Sequence, residues 1–189
     1  MPIYGEGGEN ATYYFPGVSN NLPFLSNPSI EDYMALVTSK QDGDFELYTI
    51  RADGSDLLQL TYNEVTDYQP RWSPQGNQIA FIREEGTSQQ AVVMKQNGAE
   101  QRVLIESGVI RMDWVTESQL LVGVAQGEVV LVNTTTGSMP SLIEGIEEWG
   151  SLSPTLTHFA YWVHPQEKVR ELWVMNIATQ TSVQICTQC

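Results

Sequence analysis

Trp72-Ser73-Pro74-Gln75-Gly76-Asn77-Gln78-Ile79-Ala80-Phe81 is the stretch from which the rest of the chain can be read. An aromatic residue is followed by a turn and then by an apolar run. Proline pre-sets φ early in the turn and glycine tolerates a positive φ further on, so the chain doubles back here. Downstream lie Ala91-Val92-Val93-Met94 and Arg102-Val103-Leu104-Ile105, with Asn97-Gly98 between them as a hairpin turn. These runs are short, rich in branched and aromatic residues, and bounded by turn residues, which predicts strands. Helical periodicity is nearly absent.

The same plan recurs on both sides. Upstream stand Met34-Ala35-Leu36-Val37, Glu46-Leu47-Tyr48-Thr49-Ile50 and Leu58-Gln59-Leu60-Thr61. Downstream, the segment Trp114 to Val122 leads to Val129-Val130-Leu131-Val132-Asn133 and Ser141-Leu142-Ile143. Then Leu152-Ser153-Pro154 leads to Phe159-Ala160-Tyr161-Trp162, Glu171-Leu172-Trp173-Val174-Met175 and Val183-Gln184-Ile185. Aligning Met34, Ile79, Leu121 and Phe159 gives spacings of 45, 42 and 38 residues. A period of roughly 40–45 residues with several short strands per unit is what propeller blades show. The expectation is an all-β chain of β-propeller type, residues 31–189, with four recognisable blades at 31–62, 66–106, 108–144 and 147–186.

Residues 1–30 differ. Four prolines and four glycines break up any regular element, yet Tyr4, Tyr13, Tyr14, Phe15, Phe24 and Leu25 are more apolar surface than a free tail needs. This part reads as an irregular N-terminal arm that docks, giving a strand to the last unit or to a neighbouring chain.

Composition bounds the partners. The 189 residues, 41% hydrophobic, suffice for one domain with a real core. Nine basic against 23 acidic residues give a net charge of −14. Such a surface repels phosphate backbones and anionic lipid, so nucleic acid and the membrane surface are poor partners, and a basic protein is a good one. No apolar run approaches the ~20 residues of a membrane-spanning helix. The start, Met1-Pro2-Ile3-Tyr4-Gly5-Glu6, has neither a basic nor an apolar leader region, so either the chain is cytoplasmic or a leader or upstream sequence is missing.

Several of these stretches resemble a known repeat. Glu46 to Asp56, Gln59-Leu60-Thr61, Asp67-Tyr68-Gln69-Pro70-Arg71-Trp72-Ser73-Pro74 and Ile79-Ala80-Phe81 look like the TolB-type β-propeller repeat, which also builds the propellers of prolyl-oligopeptidase-like proteases. The likeness is strong over about residues 34–105 and weaker over 110–186. Val115-Thr116 replaces Ser-Pro in the third unit, and Gln75 stands where the pattern usually has Asp. The resemblance implies four-stranded blades ordered from the Trp-Ser-Pro strand through the Ile-Ala-Phe and Leu-Tyr strands to the Leu-Thr strand. Family propellers usually have six or seven blades. The ring therefore closes with four, the chain is part of something longer, or another chain completes it. The α/β domain of TolB has no counterpart here, so its partner-binding role is not carried over. The family tie implies an extracytoplasmic (periplasmic or secreted) setting.

No catalytic constellation stands out. No Gly-x-Ser-x-Gly nucleophile elbow occurs in these 189 residues. Ser73 and Ser153 belong to the repeated turn. His158 and His164 are six apart, ~20 Å along a strand, too far to share one ion. Asp42-Gly43-Asp44 and Asp53-Gly54-Ser55-Asp56 lack the further ligands of a calcium loop and suit hairpin turns. Trp72 and Trp114 share a repeat position, which points to packing. No cofactor or metal is expected. Cys186 and Cys189 form a terminal C-x-x-C, read as a disulfide, a link to a partner, or two idle thiols.

Charge distribution is the strongest functional cue. From Met112 to Glu167 there is no Lys or Arg, while Asp113, Glu117, Glu128, Glu144, Glu147, Glu148 and Glu167 fall in that stretch. Glu144, Glu147, Glu148 and Trp149 join an acidic loop to an aromatic and are the candidate partner contacts. The function expected is a non-catalytic protein-binding or assembly module with an acidic docking face. One alternative is the gating or scaffold propeller of a hydrolase or lyase whose catalytic part lies elsewhere. Another is a structural subunit of a homo-oligomer joined through the arm or the cysteines.

Overall fold

A computed structural model describes residues 12–14, 34–40, 43–146, 148–167 and 169–187. It divides into two compact units, Met1–Ser107 and Gly108–Cys189. That division falls in the gap between the second and third repeats.

The first unit holds two four-stranded antiparallel sheets, each a meander in chain order. The first comprises β1 (Thr12–Tyr14), β2 (Met34–Ser39), β3 (Glu46–Arg51) and β4 (Leu58–Gln59). The second comprises β5 (Thr66–Trp72), β6 (Gln78–Glu85), β7 (Ser88–Lys95) and β8 (Arg102–Ile105). The Ser-Pro turn between β5 and β6 is closed twice. The Ser73 backbone N–H donates to the Gln78 carbonyl at 2.9 Å, and the Ser73 hydroxyl accepts from the Gln78 N–H at 3.0 Å. Gly98 must be glycine: its φ is +83°, and a Cβ there would lie 2.6 Å from the Leu60 carbonyl oxygen.

The core of this unit joins its two sheets. Leu36, Leu47 and Leu60 meet Ile79, Phe81, Val92 and Met94, with Trp72 packed against them. Burying side chains of this kind stabilises by roughly 1.5–3 kcal/mol each. In β6 four successive residues, Ile79 to Ile82, are wholly buried, so both faces of the sheet are covered there.

One assignment differs from the sequence reading. Thr12–Tyr14 pairs with β2 of the first sheet, with Tyr13 opposite Val37, and not with the last one. Without β1 the first sheet would have three strands and a bare edge at Met34–Ser39. The rest of residues 1–30 lies outside the described residues.

The second unit repeats the plan. Its first sheet is β9 (Val109–Thr116), β10 (Gln119–Val124), β11 (Glu128–Asn133) and β12 (Ser141–Ile143), with a single 3₁₀ turn at Ala125–Gly127. Its second is β13 (Glu148–Leu152), β14 (His158–Gln166), β15 (Val169–Asn176) and β16 (Thr181–Thr187). Ser153 reproduces the geometry of Ser73: its N–H donates to the His158 carbonyl at 2.9 Å, and its hydroxyl accepts from the His158 N–H at 3.1 Å. Where Val115-Thr116 replaces Ser-Pro, β9 runs on to Thr116 and the turn shortens, leaving the strands in place. Val115, Leu121, Val129, Leu131 and Ile143 form the core with Phe159, Tyr161, Met175 and Ile177.

Candidate functional site

The acidic loop begins where β12 ends. Gly145 takes φ +75°, and the Ile146 N–H donates to the Gly127 carbonyl at 2.9 Å while its side chain is buried. That anchor leaves Glu144 exposed, with no ion-pair partner among the described residues. Glu147 lies outside the described residues. Glu148 and Trp149 follow on β13 and diverge. Glu148 is exposed and ion-paired to Arg170 of β15, whose guanidinium lies 4.0 Å from the ring centre of Trp162.

Trp149 turns inward. Its ring centre lies 5.0 Å from that of Phe159, and its Nε1 donates to Asp113 Oδ2 at 3.2 Å. Gly123 makes this possible, since a Cβ there would sit 2.5 Å from the indole. Of the four candidate contacts, then, Glu144 and Glu148 are exposed, Glu148 paired to Arg170, and Trp149 is committed to packing.

The second polar cluster lies in the first unit and was not foreseen from the sequence. Asp67, wholly buried on β5, accepts from Arg83 Nε and Nη2, each at 2.8 Å, and from Asn63 Nδ2 at 2.9 Å. Its backbone N–H donates to the Phe45 carbonyl at 2.7 Å, tying the second sheet to the start of β3. Beside it Glu46, also wholly buried, accepts from the Asn63 N–H at 2.6 Å through Oε1, while Oε2 has no hydrogen-bond partner. Loss of hydration pushes the Glu46 carboxyl above the ordinary range; the charges of Asp67 and Asp44 add to this, against hydrogen bonds from Thr61 and Asn63. The signal in the sequence was a carboxylate near the start of two strands, Glu46 ahead of Leu47-Tyr48 and Asp67 three residues ahead of Pro70.

Elsewhere the residues that could do chemistry are engaged in turns. The Ser73 and Ser153 hydroxyls accept backbone N–H groups. His158 Nδ1 lies 2.9 Å from the Thr157 hydroxyl, and His158 and His164 stand on the one strand β14. Asp53 holds the Ser55 N–H at 2.9 Å and the Ser55 hydroxyl at 2.7 Å, which lowers its pKa, and Asp56 pairs with Arg51 at 2.6 Å. Among the described residues no group of three or more His, Cys, Asp or Glu is placed to hold a metal ion. Cys186, half-buried opposite Leu172, is disulfide-bonded, and Cys189 lies outside the described residues. No described helix is long and apolar enough to cross a membrane.

Comparison with known proteins agrees with this fold. No family model matches the chain. Among curated proteins it is 44% identical over 45 residues to dipeptidyl-peptidase 5 of Porphyromonas gingivalis, covering 24% of this chain and 7% of that one. It is 36% identical over 86 residues to an uncharacterised peptidase, YuxL, of Bacillus subtilis, covering 43% and 13%. The chain thus matches only a small part of either relative. Among solved structures, puromycin hydrolase superposes with a TM-score of 0.69 at 16% identity, over 96% of this chain and 32% of that one. TolB from Acinetobacter baumannii gives 0.62 at 17% identity, over 80% and 40%. The propeller domain of the trilobed protease of Pyrococcus furiosus gives 0.58 at 14%, over 81% and 53%. The fold is a TolB-type β-propeller fold, with four four-stranded blades in this chain.

Proposed function

We propose that this chain is the non-catalytic propeller part of a peptidase-type protein, binding basic segments for a catalytic part on another segment or chain. The observation that carries the reading is that both curated relatives bear peptidase names. Two features of the chain support it. These 189 residues contain no Gly-x-Ser-x-Gly, and the hydroxyls of Ser73 and Ser153 are spent inside turns. The docking face is the acidic surface of the second unit, where Glu144 and Glu148 are exposed. The setting is extracytoplasmic, a reading that the Cys186 disulfide supports, since such bonds persist in oxidising compartments.

The test uses fluorescein-labelled basic and acidic peptides in anisotropy titrations, beside a chromogenic dipeptide substrate. The reading expects no turnover, binding of basic peptides only, weakening as salt rises, and weaker binding by Glu144→Gln with Glu148→Gln. Turnover by the chain alone, or equal binding of acidic and basic peptides, overturns it.

A further inference from the structure

Glu46, at the start of β3, lies in the field of two other carboxylates, Asp67 and Asp44. One guanidinium serves all three. Arg83 is near enough to act on Glu46, but its Nε and Nη2 are taken by Asp67, and Nη2 also reaches Gln101 Oε1 at 3.0 Å. Lys40 lies over the Phe45 ring, 5.9 Å from its centre. Arg83 therefore balances one of the three carboxylates and leaves two negative charges.

A cluster of acids on a surface is solvated and needs no partner. This one is not on the surface. Glu46 and Asp67 are wholly buried. Glu46 Oε1 accepts from the Asn63 N–H, but Glu46 Oε2 is buried without a hydrogen-bond partner, and so is Asp44 Oδ2. Buried carboxylate oxygens are normally paired, hydrogen-bonded or bound to a metal ion. A proton on Glu46 removes one of the two charges and leaves the other. The two orphan oxygens also belong to near neighbours. Asp44 and Glu46 are two residues apart, so their Cα atoms are at most ~7 Å apart, within reach of one ion held at ~2.3–2.6 Å by each side chain. Asn63 steadies the far side, since its N–H holds Glu46 Oε1 while its Nδ2 holds Asp67 Oδ2.

We propose that Asp44 Oδ2 and Glu46 Oε2 are the carboxylate ligands of a divalent-cation site, and that calcium is the ion it takes. The uncompensated charge sets the valence. The ligands set the ion. Carboxylate oxygens are hard donors, and two of them fall short of a full shell, so carbonyls and water complete it. Calcium accepts such irregular shells of six to eight oxygens, whereas magnesium demands near-octahedral geometry. No group of three or more His, Cys, Asp or Glu forms a ready cage among the described residues, so the affinity is weak, ~0.1–1 mM. The bound ion ties the start of β3 to the Asn63 segment, through which the first sheet leads into the second.

The test is the melting temperature of the full chain in chelator and in calcium chloride, beside sodium chloride at matched ionic strength. In about 10 mM calcium the parent should melt ~3–6 °C higher than in chelator, as expected once an ion exceeds its dissociation constant about tenfold. Glu46→Gln and Asp44→Asn each remove a ligand charge at constant volume and should lose the rise. In chelator Glu46→Gln should melt no lower than the parent, because it no longer buries a charge. Glu106→Gln with Glu167→Gln, at exposed positions, should keep the rise, which separates the site from general screening of an acidic chain. Calorimetric titration with calcium should find one site in the parent and none in Glu46→Gln. No rise in the parent, an equal rise in sodium, or a rise that survives Glu46→Gln or Asp44→Asn overturns the proposal.

Discussion

Asp67→Asn is the most informative single change to the first unit. Asp67 is wholly buried and accepts three side-chain hydrogen bonds, two of them from Arg83. Removing one partner of a buried pair costs about 3–5 kcal/mol, because the charge left behind has lost its counter-charge. The Arg83 side chain keeps 18% exposure, so water recovers part of that, and about 3 kcal/mol is the better figure. At roughly 2–4 °C per kcal/mol for a chain of this size, the melting temperature should fall by about 6–12 °C. Urea denaturation of Asp67→Asn, Arg83→Gln and the double variant forms a double-mutant cycle. A coupling energy of about 2 kcal/mol is expected for groups in direct contact. If Asp67→Asn costs under ~1 kcal/mol, or the two changes simply add, the pair does not stabilise the β5–β6 pairing as argued.

Two further changes separate other claims. The Glu46 carboxyl is raised, so its stabilising contribution is complete below the unfolded-state value and is lost as pH rises through the folded value. Glu46→Gln should therefore gain stability over the parent at neutral pH and lose that advantage in acid; a pH-independent difference in paired melting curves would refute this. A Cβ on Gly150 would lie 1.4 Å from the Ala160 carbonyl oxygen, while one on Gly145 meets nothing within 4 Å. Gly150→Ala should cost about 3 kcal/mol or more and Gly145→Ala about 1 kcal/mol, read from urea midpoints, and equal effects would contradict the β13–β14 geometry.

Much of the fold was legible because its determinants are local. Alternating apolar runs and the Ser-Pro and Asn-Gly turns act over a few residues, and β6 to β8, β10 to β12 and β14 to β16 fall where those runs stand. The first strands of these sheets, β5, β9 and β13, meet the runs only at their last residues, and Asn63 to Gln69, which its polarity reads as a surface connection, holds the start of β5 and the buried Asp67. The β1 strand was not legible as a partner of β2. Tyr13-Tyr14 has strand-forming residues, but nothing local names the edge it joins. The orientation of Trp149 depends on the missing side chain of Gly123, 26 residues earlier, so its neighbours alone read it as a surface aromatic. The Asp67–Arg83 pair is 16 residues apart, and which carboxylate Arg83 meets depends on the β5–β6 register, where Asp67 and Arg83 stand opposite each other.

The position of β1 bears on the order in which the strands assemble. β9 and β10 are joined by two residues, and β13 and β14 by five, but 19 residues separate Tyr14 from Met34. Bringing together two segments 19 residues apart in the chain costs about 1 kcal/mol more than with five residues between them. The hairpins of the other sheets can form as soon as their residues are made. The first sheet can gain β2 to β4 early but must wait for β1, which contributes only three residues of pairing in return. Hydrogen exchange should therefore find the β1–β2 ladder the least protected of the sheet ladders, so the N-terminal sheet is the one that opens while the others stay closed.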